Sequence, residues 1–129
     1  MDRIEPGLTG RQTTTVTDDI AIHFLGTDAG RVLATPFLIM LLEMTARNSI
    51  KPYLEDGYDS VGSVVSIRHL AATPLGMRVT CQSEVIEVDG RRVKFRVEAN
   101  DEKEKIADGT HERFVVNVAR FAERVQSKR

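Results

Sequence analysis

The segment from Thr35 to Arg47, TPFLIMLLEMTAR, places a glutamate directly after six consecutive apolar residues. At helical spacing these apolar residues cover every side of a helix rather than one stripe. Thr35 is typical of an N-cap and Pro36 fits the first helical turn, so a helix is predicted to begin here and to end before Pro52. We expect this helix to be surrounded on all sides. Glu43 must then be paired, reach an opening or hold a proton.

The length and charge of the chain restrict the classes of protein to which it can belong. Its 129 residues predict a single domain, residues 1–129. With 18 basic and 19 acidic side chains, the net charge of -1 predicts no binding to nucleic acid or to an anionic membrane. The N-terminus lacks a secretory pattern and no apolar run approaches the roughly 20 residues of a membrane span, so a cytoplasmic protein is expected. Cys81, the one cysteine, is predicted to be a buried core thiol, and no Cys/His spacing indicates a metal site.

The rest of the chain alternates strand-forming runs with turn signals. Strands are predicted at residues 12–17, 61–70, 77–88, 91–99 and 106–118, with a short helix over 120–126. Asp89-Gly90 is a two-residue hairpin signal. One strand, one apolar helix and then four antiparallel strands in hairpin succession form an α+β order. We therefore predict a hotdog fold, an antiparallel sheet of about five strands wrapped around a central hydrophobic helix. Its open sheet edge predicts a homodimer.

Several segments resemble the thioesterases related to fluoroacetyl-CoA thioesterase. They are TPFLIMLLEM, PYLE, VGS and RHLAATPLG within residues 32–76, and ADGTHERFVVNVARF further along the chain. The resemblance implies that Thr35, Glu43 and His69 form the catalytic constellation that hydrolyses an acyl-CoA thioester. It also implies that Gly62 lies beside the substrate and that Arg113 supports the site. It implies no cofactor, because CoA is part of the substrate.

The residue types suit thioester hydrolysis but leave the role of Glu43 open. A carboxylate shielded from water can attack the thioester and form an anhydride, or it can act as a base on a water molecule. His69 can donate a proton to the thiolate leaving group or orient the carboxylate, because histidine titrates near neutral pH. The hydroxyl of Thr35 can hold the glutamate or the water, and backbone N–H groups at a helix start can receive the carbonyl oxygen.

Several of these residues also have a purely structural interpretation. Glu43 and Arg47 are spaced i,i+4 and could form an ordinary helix salt bridge. His69 lies on an apolar strand face, where a histidine can be a core group. His23 and His111 have no identifiable partner, and both are interpreted as structural.

The spacing of two candidate residues limits how the site can form. Thr35 and Glu43 are eight residues apart, which is about 12 Å along a continuous helix. Either the chain before the helix folds back, or the site takes residues from two subunits. We predict the shared site, because the open edge already indicates a dimer.

Two alternative functions and the identity of the acyl group remain open at this stage. The alternatives are a non-catalytic hotdog dimer that binds a small acyl compound, and an acyl-CoA dehydratase. The sequence contains no phosphate-binding glycine loop, so CoA is expected to be held by its pantetheine arm, with scattered arginines at its phosphates. The fluoroacetyl-specific members carry bulky phenylalanines in the loop before the helix as an apolar lid. Here that region reads Gly26-Thr27-Asp28-Ala29-Gly30, which predicts a different small or medium acyl-CoA substrate.

Overall fold

In the computed structural model, which describes residues 1–129, a five-stranded antiparallel sheet wraps around one long helix. The elements are β1 (Thr9–Thr15), α1 (Thr35–Ile50), β2 (Tyr58–His69), β3 (Arg78–Asp89), β4 (Arg92–Asp101), β5 (Lys105–Asn117) and α2 (Val118–Gln126). Single 3-10 turns lie at Asp18–Ile20, Asp28–Gly30 and Lys51–Tyr53. This architecture confirms the predicted α+β class and the hotdog fold.

The order of the strands corrects one part of the predicted topology. The sheet order is β1-β3-β4-β5-β2, so β3, β4 and β5 form successive hairpins but β2 pairs with β5 and not with β3. The connection after β2 does not turn tightly. Instead it packs on the segment before α1, where the Leu33 N–H donates to the Thr73 carbonyl at 2.9 Å and Val32 bridges Pro74. As a result β2 lies at one edge of the sheet and β1 at the other.

The hairpin between β3 and β4 forms one residue further along than its sequence signal indicates. Asp89 pairs with Arg92, so the two loop residues are Gly90 and Arg91. Gly90 has a φ of +61°, a left-handed conformation that glycine adopts without steric cost. Glycine is therefore required at the first loop position, and the strand pairing places Asp89 in the ladder.

The N-terminus of α1 differs from its predicted form. Ala34 is the N-cap residue and no side chain caps the helix. Thr35 is the first helical residue, so its predicted N-cap role is wrong. Because Pro36 has no N–H to satisfy, it fits this uncapped first turn.

The sheet covers only part of the surface of α1. Leu38, Leu42, Ala46 and Ile50 are fully buried against it, whereas Met40 is 45% and Met44 40% exposed. The expectation that the helix is surrounded on all sides is therefore wrong for a single chain. No helix in the chain is both long and apolar enough to cross a membrane.

β3 places its cysteine in the core, as predicted. Val79, Cys81 and Val85 alternate inward along the strand and are buried. Burial raises the pKa of the Cys81 thiol to about 11, since a thiolate loses its hydration there. Cys81 is therefore a neutral core side chain.

Candidate active site

Thr35 and His69 meet where the start of α1 lies beside the end of β2. Thr35 Oγ1 is 2.7 Å from His69 Nδ1. The opposite ring nitrogen, Nε2, is buried and has no hydrogen-bond partner. Burial lowers the pKa of His69 below its ordinary value. A cavity of about 270 Å³ adjoins the pair, lined also by Leu70, Ala71 and Ala72.

Glu43 lies in the middle of α1 and is paired with an arginine from β5. Its Oε2 is 3.4 Å from Arg113 Nη1, and the Glu43 side chain is 36% exposed against 7% for Arg113. Of the three conditions expected for this carboxylate, it meets two, since it is paired and reaches an opening. Arg47 instead binds Asp59 through two hydrogen bonds of 3.0 and 2.6 Å. The alternative of a Glu43–Arg47 helix salt bridge is therefore wrong.

Arg113 is held by several contacts besides Glu43. Its Nε donates to Ser60 Oγ and its Nη2 to the Ser60 carbonyl, both at 2.7 Å, and its Nη1 lies 3.2 Å from His111 Nε2. Burial lowers the pKa of Arg113, and the Glu43 carboxylate opposes that shift. Arginine keeps its charge even so. Glu43 therefore faces a fixed, buried cation.

Gly62 makes room for the Glu43 carboxylate. It pairs with Arg113 in the β2–β5 ladder, and the ladder shifts register between Gly62 and Val64. A Cβ at position 62 would lie 2.5 Å from Glu43 Oε2 and 3.2 Å from His111 Cε1. The structure thus brings Gly62, Glu43 and Arg113 together.

His111 is the residue near this group that the sequence analysis missed. It is buried, and its Nδ1 lies 2.8 Å from the Val64 carbonyl oxygen. The interpretation that it lacks a partner is wrong. A signal was available in the sequence, because His111 and Arg113 are two residues apart on β5 and side chains at that spacing share one face of a strand.

His23, the third histidine, lies in the loop before α1. Arg31 holds this loop in place through several contacts. Its Nε donates to the Ile22 carbonyl at 3.1 Å and its Nη2 donates to the Asp18 carbonyl at 2.9 Å. Nη2 also lies 3.0 Å from His23 Nε2. Phe24, in the same loop, is 81% exposed. His23 thus belongs to the anchoring of this loop.

The single chain does not assemble all five predicted site residues in one place. Thr35 and His69 lie at the N-terminal end of α1, and Glu43, Gly62 and Arg113 lie about 12 Å further along the helix. No hydrogen bond links the two groups. One chain therefore presents two halves of a candidate site.

The groove beside α2 lies apart from the predicted site residues. A groove of about 330 Å³ between α2 and the outer face of the sheet is lined by Val61, Phe114, Phe121 and three arginines. It contains none of the five predicted site residues. No group of three or more His, Cys, Asp or Glu side chains is arranged to hold a metal ion.

A long helix wrapped by a five-stranded antiparallel sheet, with a half-buried glutamate on the helix, defines the chain as a hotdog protein. The family model described as fluoroacetyl-CoA-specific thioesterase matches residues 16–119. The chain therefore belongs to this family, the FlK family.

Individual relatives agree with that assignment. The chain is 41% identical to the fluoroacetyl-CoA thioesterase of Streptantibioticus cattleyicolor over 97 residues, which are 75% of this chain and 70% of the relative. A phenylalanine-to-alanine variant of the fluoroacetyl-CoA-specific thioesterase FlK matches with a TM-score of 0.90 and 33% identity over 100% of both chains. A hypothetical Thermus thermophilus protein of the thioesterase superfamily matches with a TM-score of 0.87 and 31% identity over 99% of this chain and 97% of its own.

The substituted positions in FlK offer a guide to the loop before α1. The phenylalanine replaced in the variant above lies six positions before a threonine replaced in another FlK variant, whose structure contains fluoroacetate. In this chain Ala29 lies six positions before Thr35. If Thr35 corresponds to that threonine, as the resemblance implies, Ala29 is the position to compare with that phenylalanine.

Proposed function

We propose that this protein hydrolyses a small or medium acyl-CoA thioester to the free acid and CoA. The observation that carries the proposal is the Glu43 carboxylate, which is held by Arg113 beside the side-chain-free Gly62 in a member of a thioesterase family. A partly exposed carboxylate next to an open position can reach a substrate carbonyl. Hydrolysis needs no further cofactor, because water is the second substrate. We also propose that the reaction takes place in the cytoplasm.

Glu43 acts in one of two ways. As a nucleophile it attacks the thioester carbonyl, forms an acyl anhydride and expels the CoA thiolate, and water then cleaves the anhydride. As a general base it takes a proton from a water molecule that attacks the same carbonyl. In both routes the contact with Arg113 Nη1 holds the carboxylate in place.

His69 donates a hydrogen bond to the sulfur of the leaving CoA thiolate in this proposal, and Thr35 orients the imidazole. If the Thr35 hydroxyl donates to Nδ1, the proton of the neutral imidazole resides on Nε2. That nitrogen is buried and unpaired in the single chain, so the residues that cover it must move before it can donate to the CoA thiolate. The lowered pKa, caused by burial, keeps the ring neutral at pH 7, so His69 offers the sulfur a hydrogen bond from Nε2–H rather than an imidazolium proton.

We further propose that the complete site forms between two subunits. Val64 and Val65 are exposed on the edge strand β2, and Met40 and Met44 are exposed on α1. An apolar surface beside an open sheet edge is the kind that a second copy covers. A two-fold dimer can then bring Thr35 and His69 of one subunit to Glu43 of the other. A monomer mass in light scattering at micromolar concentration would contradict this arrangement.

A panel of short and medium acyl-CoA thioesters tests the proposed reaction. Free thiol is detected during incubation, and the acyl product is identified by mass spectrometry. Release of CoA with the free acid supports the hydrolase. Saturable binding without release would identify a carrier, and a change of 18 mass units with the thioester intact would identify a dehydratase; either result would overturn the proposal.

Mixing two inactive variants tests the shared site separately. Glu43→Gln and His69→Ala are each expected to abolish most hydrolysis. If the site is shared, a heterodimer of the two variants contains one intact site, so random mixing restores about one quarter of the wild-type activity. No recovery, with heterodimers demonstrated by mass spectrometry, would place each site within one chain.

A further inference from the structure

We propose that His111 is a positioning residue that holds Arg113 against Glu43, and that it does so as the neutral tautomer protonated on Nδ1. The activity part of this proposal rests on the proposed thioesterase function. The arrangement of the three side chains rests on the geometry of β5, β2 and α1 alone.

The contacts of His111 select one protonation state. Nδ1 lies 2.8 Å from the Val64 carbonyl oxygen, which can only accept, so Nδ1 carries a hydrogen. Nε2 lies 3.2 Å from Arg113 Nη1, which can only donate, so Nε2 presents its lone pair. The imidazole is also stacked on Phe95, with the ring centroids 6.1 Å apart. The ring is thus fixed in one orientation and in one tautomer.

His111 completes the restraint on the Arg113 guanidinium. Nε and Nη2 both bind Ser60, so these two contacts fix one edge of the planar group but leave it free to pivot about that edge. Nη1 lies at the opposite edge and has two hydrogens. One is directed at His111 Nε2 and the other at Glu43 Oε2. The contact with His111 prevents the pivot and so keeps the second hydrogen directed at the carboxylate.

The charges around His111 make this restraint sensitive to acid. Burial is the main cause that lowers the pKa of His111; the Val64 carbonyl raises it, Arg113 lowers it further, and Glu43 and Glu112 raise it. The ring is therefore neutral at pH 7. Protonation would place an N–H on Nε2 against the N–H of Arg113 Nη1 and set two cations side by side. Arg113 would then turn away from Glu43.

Two amide substitutions separate the two contacts of His111. In His111→Asn, the short amide can still donate to the Val64 carbonyl but presents no acceptor to Arg113. In His111→Gln, the longer amide can place its oxygen near the position of Nε2 and accept from Arg113. A residue whose role is confined to binding the Val64 carbonyl would tolerate asparagine better than glutamine, and a cavity left by asparagine would appear as a loss of unfolding free energy. A residue that positions Arg113 would tolerate glutamine better.

The expected result is a fall in kcat of at least about 10-fold for His111→Asn, with KM within about threefold, and near-normal kcat for His111→Gln. Because an amide does not titrate, the acid-side decline of kcat should begin at lower pH in His111→Gln than in the wild type. Equal losses in the two folded variants, or full activity in His111→Asn, would overturn the proposal.

Nitrogen-15 NMR of the histidines provides a readout that does not depend on hydrolysis. At pH 7 the wild-type His111 ring should show a protonated Nδ1 and an unprotonated Nε2, assigned by comparison with either variant or by isotope labelling if neither folds. A protonated Nε2 at pH 7 would overturn the proposal. If no acyl-CoA in the panel is hydrolysed, the proposed function fails, and this spectrum decides the role of His111 by itself.

Discussion

The hydroxyl of Thr35 lies 2.7 Å from Nδ1 of His69, so the first residue of α1 is bound to the last residue of β2 and not to the backbone of its own helix. A threonine before a proline is a strong capping signal, yet here the cap position belongs to Ala34. The hydroxyl is therefore available to orient an imidazole. The contribution of this hydroxyl to turnover can be measured separately from its contribution to the stability of the helix.

Thr35→Val should lower kcat by about 10- to 100-fold. It should change the free energy of unfolding by less than the roughly 1 kcal/mol that loss of an N-cap side chain costs. The physical reason is that valine keeps the shape of the side chain but cannot bind His69. Turnover and urea unfolding are measured together. Thr35→Ser is the matched control, since it keeps the hydroxyl and should stay within a few-fold of the wild type. A valine variant with normal turnover would remove Thr35 from the site.

Glu43→Gln should keep the fold and lower thioester hydrolysis by at least about 100-fold, because the neutral amide is neither a nucleophile nor a base. Glu84→Gln is a suitable control, as it removes a carboxylate that is paired with Arg96 on the sheet surface. Its effect on turnover should be small. Unchanged turnover in a folded Glu43→Gln variant would contradict the assignment.

Gly62→Ala should reduce activity with little loss of stability. The added methyl would lie 2.5 Å from the Glu43 carboxylate oxygen, and that flexible, partly exposed side chain can move away from it. Gly10→Ala is the contrasting change, because its methyl would lie 2.5 Å from Ser49 Cβ and 3.1 Å from the Thr45 carbonyl on α1. Overpacking there should cost about 1–3 kcal/mol of stability. Thermal melts and kcat are measured on both variants. The role of Gly62 would be contradicted if both variants lost activity and stability to the same extent.

The two histidines with lowered pKa values predict how stability depends on pH. Burial is the main cause that lowers the pKa of both His69 and His111 in the folded state. Below the ordinary histidine pKa of about 6.5 the unfolded chain binds protons that the folded chain does not, so the free energy of unfolding decreases as the pH falls. Above that value both states are neutral at these positions and the contribution is constant. His69→Gln and His111→Gln should each reduce the slope of the unfolding free energy against pH between pH 6.5 and 5. The reduction should correspond to on the order of one proton per site. An unchanged slope in both variants would show that neither ring is neutral in the fold.

The sequence was sufficient to predict the long helix and the strands, because apolar periodicity and turn residues are local signals, whereas the five candidate residues were proposed from the resemblance to a family. It could not predict that β2 pairs with β5, since that pairing depends on how residues 70–77 pack against the segment before α1. It also misplaced Thr35 as a cap, because the competing partner, His69, is 34 residues away in the chain. His111 was missed for a related reason, as its contact with Val64 exists only once β2 and β5 are paired.

The choice of acyl group provides the last prediction, and it depends on the loop before α1. The segment Gly26–Gly30 carries no phenylalanine, and the aromatic side chain of Phe24 points largely into solvent in the single chain. The small, polar segment Gly26–Gly30 cannot itself form an apolar cover that excludes water or grips a fluorinated two-carbon group. We therefore expect little preference for fluoroacetyl-CoA over acetyl-CoA beyond the intrinsic electrophilicity of the fluorinated thioester.

The measurement is the ratio of kcat/KM for the two thioesters, each divided by its nonenzymatic base-catalysed rate. Ala29→Phe is the informative variant, because Ala29 holds the position that compares with the substituted phenylalanine of FlK. If an aromatic cover is what this chain lacks, the variant should raise the corrected ratio, whereas Ala29→Leu, which adds apolar volume without a ring, should raise it less. A corrected wild-type ratio above about 1,000-fold would mean about 4 kcal/mol of transition-state discrimination. That result would show that the chain recognises fluorine without a phenylalanine in the segment Gly26–Gly30, and the selectivity would then have to come from Phe24 or from the surroundings of Gly62 and Glu43.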